Sequence, residues 1–201
     1  MLLETPVKDT TVCMTQEALA AINDQGLRVG QCYDGTTAIN AMLVSSSNDL
    51  SALLDAEAKE YGFSLDQYIF SRQWDMVIYD SSGFDFGDEQ KISQGYAHDI
   101  LMVAYEILVD YPSIADATTR EAYPIADSAV QHTYARVADT SALRFAKTGY
   151  TALAGGNMMA IIEPAPGILI GIVVMRSGFL ERFVDFEEIV SIIEYSYNLT
   201  H

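Results

Sequence analysis

Lysine, threonine and glycine stand in a row at 147–149, inside the stretch "RFAKTGYTALAGGN" (144–157). They set an ammonium group, a hydroxyl and a bare stretch of backbone between a hydrophobic lead-in and a Gly-rich turn. Such a segment is either an ordinary strand entering a hairpin or the edge of a substrate groove, and companions elsewhere must decide. At average residue frequencies Lys-Thr-Gly arises by chance in about one chain in twenty of this length, and Ser-x-Asn in roughly half. Ser-x-Asn occurs here as Ser46-Ser47-Asn48 and as Ser196-Tyr197-Asn198. The second falls in the last turn of an expected helix. The first lies in a loop that opens directly onto a helix, where a side chain is presented rigidly, so Ser46 and Asn48 are the better candidates. Taken singly, "SSSND" also reads as a helix N-cap and "AKTGYT" as a plain strand.

The elements that must carry these residues can be read from periodicity. "TQEALAAI" (15–22) begins with a capping threonine and predicts a short helix, and "TTAINAMLV" (36–44) predicts another. "DLSALLDAEAKEYG" places Leu50, Leu53, Leu54 and Ala58 on one helical face, with Gly62 as the stop. "YAHDILMVAYEILVDYPS" repeats the pattern with Ile100, Leu101, Ala104, Ile107 and Leu108, stopped by Pro112. The last third changes character. "RFAKTGYT", "NMMAIIEP" and "GILIGIVVMRS" are short apolar runs at hairpin spacing and predict a three-stranded antiparallel sheet. "FVDFEEIVSIIEYSYNL" then predicts an amphipathic helix that covers the sheet with Phe183, Phe186, Ile189, Val190, Ile193 and Tyr197. The fold class is α+β, a single domain over 1–201 with a mainly helical subregion at about 12–130 and a sheet with its helix at about 133–201.

Composition bounds the function. The 201 residues are 50% hydrophobic and carry a formal net charge of −17, which suits a real core and repels nucleic acid and anionic headgroups. The longest apolar run, 167–175, falls well short of the roughly 20 residues of a membrane-spanning helix, and "MLLETPVKDT" lacks the pattern of a signal peptide. Cys13 and Cys32 are expected as two buried thiols in preference to a disulfide. With His98 and His132 they show none of the close paired spacings of a zinc site, so neither metal nor cofactor is expected.

In order and spacing, "NAMLVSSSNDLSALLDAEAKEYGF", "YDSSGFDFGDEQKISQGYAHDILMVAYEILVDYPSIADATTREAY" and "RFAKTGYTALAGGN" resemble the serine D-alanyl-D-alanine carboxypeptidases, the low-molecular-weight penicillin-binding proteins. The resemblance implies the penicillin-binding/β-lactamase-like fold and a serine peptidase that acts on peptidoglycan stem peptides through an acyl-enzyme, with motifs Ser-x-x-Lys, Ser-x-Asn and Lys-Thr-Gly. It implies catalytic roles for Ser46, Asn48 and Lys147, facing one another across a groove. Substrate contacts are implied for Thr148, Gly149, Tyr150 and Thr151, with the N–H of Tyr150 as half of an oxyanion hole. His132 lies where the family often holds a basic residue for the terminal carboxylate, and Arg136 is its rival. Stem peptides or β-lactams are the implied partners, and a cell-envelope, extracytoplasmic setting is implied for the complete protein.

One motif departs from the family. The four lysines, Lys8, Lys59, Lys91 and Lys147, are preceded at three residues' distance by Thr5, Ala56, Asp88 and Arg144, so the sequence contains no Ser-x-x-Lys. Thr5 has the spacing, but the proline beside it and the matching of 4–9 to a loop of the family make it a poor nucleophile. The expectation is a chain that starts just after the nucleophile motif, lacks the first two strands, is inactive alone and takes no covalent penicillin. The strand at 167–177 is then expected as an exposed edge that pairs with a second copy. The alternatives are a natural non-catalytic relative that binds wall peptides and an unrelated α+β interaction domain.

Overall fold

The structure is a computed structural model, and it describes residues 2–20, 26–84, 90–140 and 142–200. The chain divides into two units: residues 1–95 with 122–133, and residues 96–121 with 134–201.

The first unit opens with two 3-10 turns, Leu2–Glu4 and Pro6–Asp9, and then β1 (Thr11–Cys13), α1 (Gln16–Leu19) and β2 (Cys32–Asp34). Strands β1 and β2 pair antiparallel with Cys13 opposite Cys32. That register brings the two sulfurs into a disulfide. Both cysteines are exposed, so the expectation of two buried thiols is corrected. The alternation along these short strands turns Val12 and Tyr33 inward and the cysteines outward, and a cross-strand pair on one face is close enough to bond. Helix α1 is capped by Thr15, whose hydroxyl accepts from the Ala18 N–H; residues 21 and 22 of the expected helix lie outside the described residues.

Helix α2 (Gly35–Ser45) starts at Asp34, whose carboxylate accepts from the Thr37 N–H at 2.9 Å. Its first residue must be glycine, because a Cβ there would overlap the Val7 carbonyl. Ala38, Ile39, Ala41 and Val44 are buried along it. Helix α3 (Asn48–Glu60) buries Leu50, Leu53, Leu54 and Ala58, the face the periodicity predicts, and Gly62 follows at φ +73. Helix α4 (Leu65–Arg72) and the strand pair β3 (Met76–Val77) with β4 (Gln94–Gly95) follow. The hairpin of β5 (Ala122–Ile125) and β6 (Ser128–Gln131) completes the unit. It is bound to α2 by Asn40 Nδ2 donating to the Tyr123 hydroxyl at 2.8 Å and by the Thr133 N–H donating to the Val44 carbonyl at 3.2 Å.

The second unit begins with α5 (Ala97–Asp110) and α6 (Pro112–Ala117). Pro112 ends one helix and occupies the first position of the next, where its missing N–H costs nothing. The sheet is antiparallel in the order β7-β8-β9, with β7 at Leu143–Thr151, β8 at Gly155–Ala165 and β9 at Ile168–Ser177. Helix α7 (Glu181–Thr200) closes the chain. On one face of the sheet Phe145 and Ile161 pack with Ala104 and Ala115. On the other, Ala146, Met158, Ala160 and Ile172 pack with Phe186 and Val190 of α7, and Phe183 and Ile193 fill beside them. Each large side chain sealed in these layers contributes roughly 1.5–3 kcal/mol. Ile189 of α7 is 37% exposed and does not belong to the covering face, one step in the helix away from Val190. Tyr134 lies under α7, its hydroxyl donating to Glu187 at 2.9 Å; burial, and then that bond, push its pKa up to about 12. The fold is α+β with antiparallel sheets and a C-terminal packing helix, as the sequence predicts. No described helix is long and apolar enough to cross a membrane.

Candidate functional site

The candidate residues fall in both units. In the first, α2 runs out at Ser46, which takes the left-handed conformation at φ 55. This conformation costs an L-residue about 1–2 kcal/mol, and it turns the chain sharply so that α3 begins two residues later. Ser47 is the N-cap of α3, buried, its hydroxyl accepting from the Leu50 N–H at 3.3 Å. The middle serine is therefore the structural cap, and Ser46 and Asn48 are the half-buried residues on either side of it. His132, just past β6 in this unit, is buried at 8% exposure. Thr5 caps a 3-10 turn, its hydroxyl donating to the Leu2 carbonyl at 2.7 Å.

In the second unit Lys147, Thr148, Gly149, Tyr150 and Thr151 form the C-terminal half of β7, an outer strand of its sheet. The strand is held in register with β8 through Lys147 opposite Met159 and Tyr150 opposite Gly156. Beneath it, buried Thr118 accepts from the Ala146 N–H at 3.1 Å and donates to the Ala115 carbonyl at 2.7 Å, which fastens the strand to α6 one residue before the lysine. Lys147 Nζ donates to the Thr148 carbonyl at 2.6 Å. Burial of the ammonium, and secondarily the nearby charge of Arg182, draw its pKa down to about 8. Thr148 is buried, Gly149 has open space where a side chain would project, and Tyr150 is 50% exposed. Thr151 is committed to the turn that follows, its hydroxyl accepting from the Ala154 N–H at 2.9 Å.

Sequence reasoning missed a residue here. Arg182, in the first turn of α7, is 4% exposed and makes no ion pair among the described residues. Its guanidinium carbon lies 4.3 Å from the ring centre of Phe183, 4.7 Å from that of Phe179 and 5.8 Å from that of Tyr150. One amino group donates to the Phe179 carbonyl, while Nε has no partner among the described residues. Burial lowers its pKa. "SGFLERF" carries no motif that would announce this cluster; only the packing of the helix start against the end of β7 reveals it. Arg136, the rival to His132, is spent on Asp139 at 3.3 Å and Glu187 at 2.5 Å. His98 is exposed beside Asp99.

No protein-family model and no curated protein sequence matches the chain. Solved structures do, and they define the class: the chain has the fold of penicillin-binding proteins and D-alanyl-D-alanine carboxypeptidases. Penicillin-binding protein D2 from Listeria monocytogenes in an ampicillin-bound form superposes with a TM-score of 0.75 at 19% identity, over 92% of this chain and 76% of its own. D-alanyl-D-alanine carboxypeptidase from Mycobacterium tuberculosis H37Rv gives 0.70 at 18%, over 87% and 67%. The D-alanyl-D-alanine carboxypeptidase DacD from Francisella tularensis gives 0.75 at 13%, over 92% and 58%.

Proposed function

We propose that this chain is a D-alanyl-D-alanine carboxypeptidase-like domain that binds the C-terminal end of peptidoglycan stem peptides. The observation that carries the reading is the cation pair of the second unit. Lys147 stands on an outer strand with its pKa drawn toward neutrality by burial and by Arg182, a buried guanidinium without an ion pair among the described residues. Buried cations held at a cost in desolvation are stabilised by an anion, and a peptide carboxylate suits them. Thr148 and the backbone of Tyr150 extend the contact along β7, which offers its edge to an extended peptide. Ser46, Asn48 and His132, all in the first unit, are proposed from the family resemblance alone.

Acyl transfer in this family requires a serine activated by a lysine one helical turn away, and the sequence contains no Ser-x-x-Lys. Binding without acylation is therefore the reading for these 201 residues. A fluorescent penicillin leaves no covalent label on denaturing gels, whereas chemical-shift titration with diacetyl-L-Lys-D-Ala-D-Ala moves the amides of 147–151. A labelled band overturns the first statement, and silent amides overturn the second. The exposed Cys13–Cys32 disulfide supports an oxidising, extracytoplasmic setting.

Strand β9 supports a homodimer. It pairs only with β8 among the described strands, and Ile168, Leu169 and Met175 are exposed along it. Light scattering at increasing concentration shows a rising mass if the edge pairs with a second copy, and a constant monomer mass removes the proposal.

A further inference from the structure

Helix α7 is apolar on two sides. Phe186 and Val190 face the sheet and are buried. Val184, Ile192 and Tyr195 recur at near-whole numbers of turns, and at about 100° per residue they fall within roughly 80° of arc on the side turned away from those two. Leu180 precedes Val184 by four residues, and all four are between 61% and 67% exposed. Apolar residues scattered singly on a surface need no partner, but three in line along about 16 Å of helix, with a fourth ahead of them, mark an interaction surface. The charges around this stripe have one sign. Glu181 and Glu188 lie within it, and Asp185 and Glu194 border it on opposite sides. None of the four makes an ion pair among the described residues; Glu181 accepts from the Leu180 N–H at 3.2 Å and Asp185 from Ser177 Oγ at 2.6 Å, both uncharged donors. Glu187, on the same border as Glu194, is held by Arg136 at 2.5 Å. The only basic residue of α7 is Arg182, which is buried.

We propose that the outer face of α7 is a docking surface for a basic amphipathic helix of another protein. The proposal is independent of the peptide-binding reading above. Charge complementarity selects the occupant. A second copy of α7, parallel or antiparallel, sets these carboxylates against their own kind, and like charges held together cost free energy. An anionic membrane surface is repelled by the same groups and by the net charge of −17. A helix whose apolar stripe is flanked by lysine or arginine meets both demands. Its stripe covers Val184, Ile192 and Tyr195, and its cations reach Glu188 within the stripe and Asp185 and Glu194 at the borders, the arrangement by which helix pairs choose partners. Because Phe186 and Val190 hold α7 on the sheet, the stripe is presented on a fixed element and little ordering is lost on binding.

The test is fluorescence anisotropy of the full chain with three labelled peptides of equal length. Leu-Lys-Lys-Leu repeated four times forms a basic amphipathic helix, Leu-Glu-Glu-Leu repeated four times is its acidic counterpart, and Leu-Lys repeated eight times has the basic peptide's composition with the period of a strand. The first is expected to bind at least about 10-fold tighter than either of the others, and to weaken about 10-fold with Ile192→Ser or, independently, Tyr195→Ser, each the loss of one apolar anchor. Glu188→Lys is expected to weaken it about 3-fold or more at low salt and to narrow the gap to the acidic peptide. Amide shifts on adding the first peptide are expected along 180–195. Equal binding of the Leu-Lys repeat, or shifts confined to residues outside α7, shows attraction to net charge alone and overturns the proposal. Binding that Ile192→Ser and Tyr195→Ser both leave unchanged overturns it too. If phosphatidylcholine vesicles or a second copy take the face instead, seen as co-sedimentation or a rising mass that Ile192→Ser abolishes while the basic helix fails to bind, the proposal falls. All three substitutions are at exposed positions, and dispersed amide spectra confirm that the variants fold.

Discussion

At the residue scale the informative group is Lys147. Its ordinary pKa of 10.5 falls to about 8 in the folded chain, first through burial and then through Arg182. Below pH 8 the lysine is charged in both the folded and the unfolded chain, and the cost of burying the charge is fully present. Between about pH 8 and 10.5 the folded chain gives up the proton first, the unfolded chain binds more protons, and stability rises with pH through that window. Lys147→Met, which removes the charge, is expected to raise the melting temperature at pH 7 and to lose that advantage toward pH 10, as followed by circular dichroism. Carboxylate binding runs the other way. Affinity for a D-Ala-terminated peptide is expected to fall once the pH passes about 8, and a pH-independent titration curve would remove Lys147 from the contact. Thr118 acts at the same scale on the strand behind the lysine. Thr118→Val leaves the buried Ala146 N–H without its acceptor and is expected to cost about 1–3 kcal/mol in denaturant unfolding.

At the element scale, strands and helices were legible in the sequence where one period ran for many residues. The three runs at 144–177 are strands with bounds within two residues of those expected, because Gly and Pro punctuate them. Leu50, Leu53, Leu54 and Ala58 are buried as their spacing predicts. The hairpin β5–β6 was not legible, since "AYPIADSAV" is short, and its turn is made by Ala126 at φ 48, a residue that gives no turn signal. Pro112 was read as a stop and is a stop followed at once by a start. The disulfide was missed because strands of three residues carry too little pattern to fix a register. Within the candidate site, Lys147 and Thr148 announced themselves by type and order, whereas Arg182 and Phe179 matter only through what they pack against. The element most exposed to a single change is α2. Gly35→Ala drives a methyl into the Val7 carbonyl, and a loss of about 1–3 kcal/mol or more is expected in urea unfolding.

At the scale of the whole molecule, the disulfide ties residues 19 apart in sequence and closes the start of the first unit. Its reduction is expected to lower stability by roughly 3 kcal/mol, the value for a loop of about that length, read as a fall in melting temperature on adding a dithiol. An unchanged melting curve in reductant, with the free thiols verified by alkylation, would show that the link carries no stability.

The first unit is discontinuous: the chain leaves it at Gly95 and returns at Ala122 with the β5–β6 hairpin. Helix α2 and Tyr123 are thus joined by a hydrogen bond between residues 83 apart. Contacts of such separation form late, because a long loop must close before they reward the chain. During synthesis, α2 has left the ribosome with its partner hairpin still unmade, and the apolar residues it later shares with that hairpin wait for residue 133. A nascent chain arrested between 95 and 121 is therefore expected to be cleaved readily by protease, and to become resistant once synthesis has passed 133 and the hairpin has emerged.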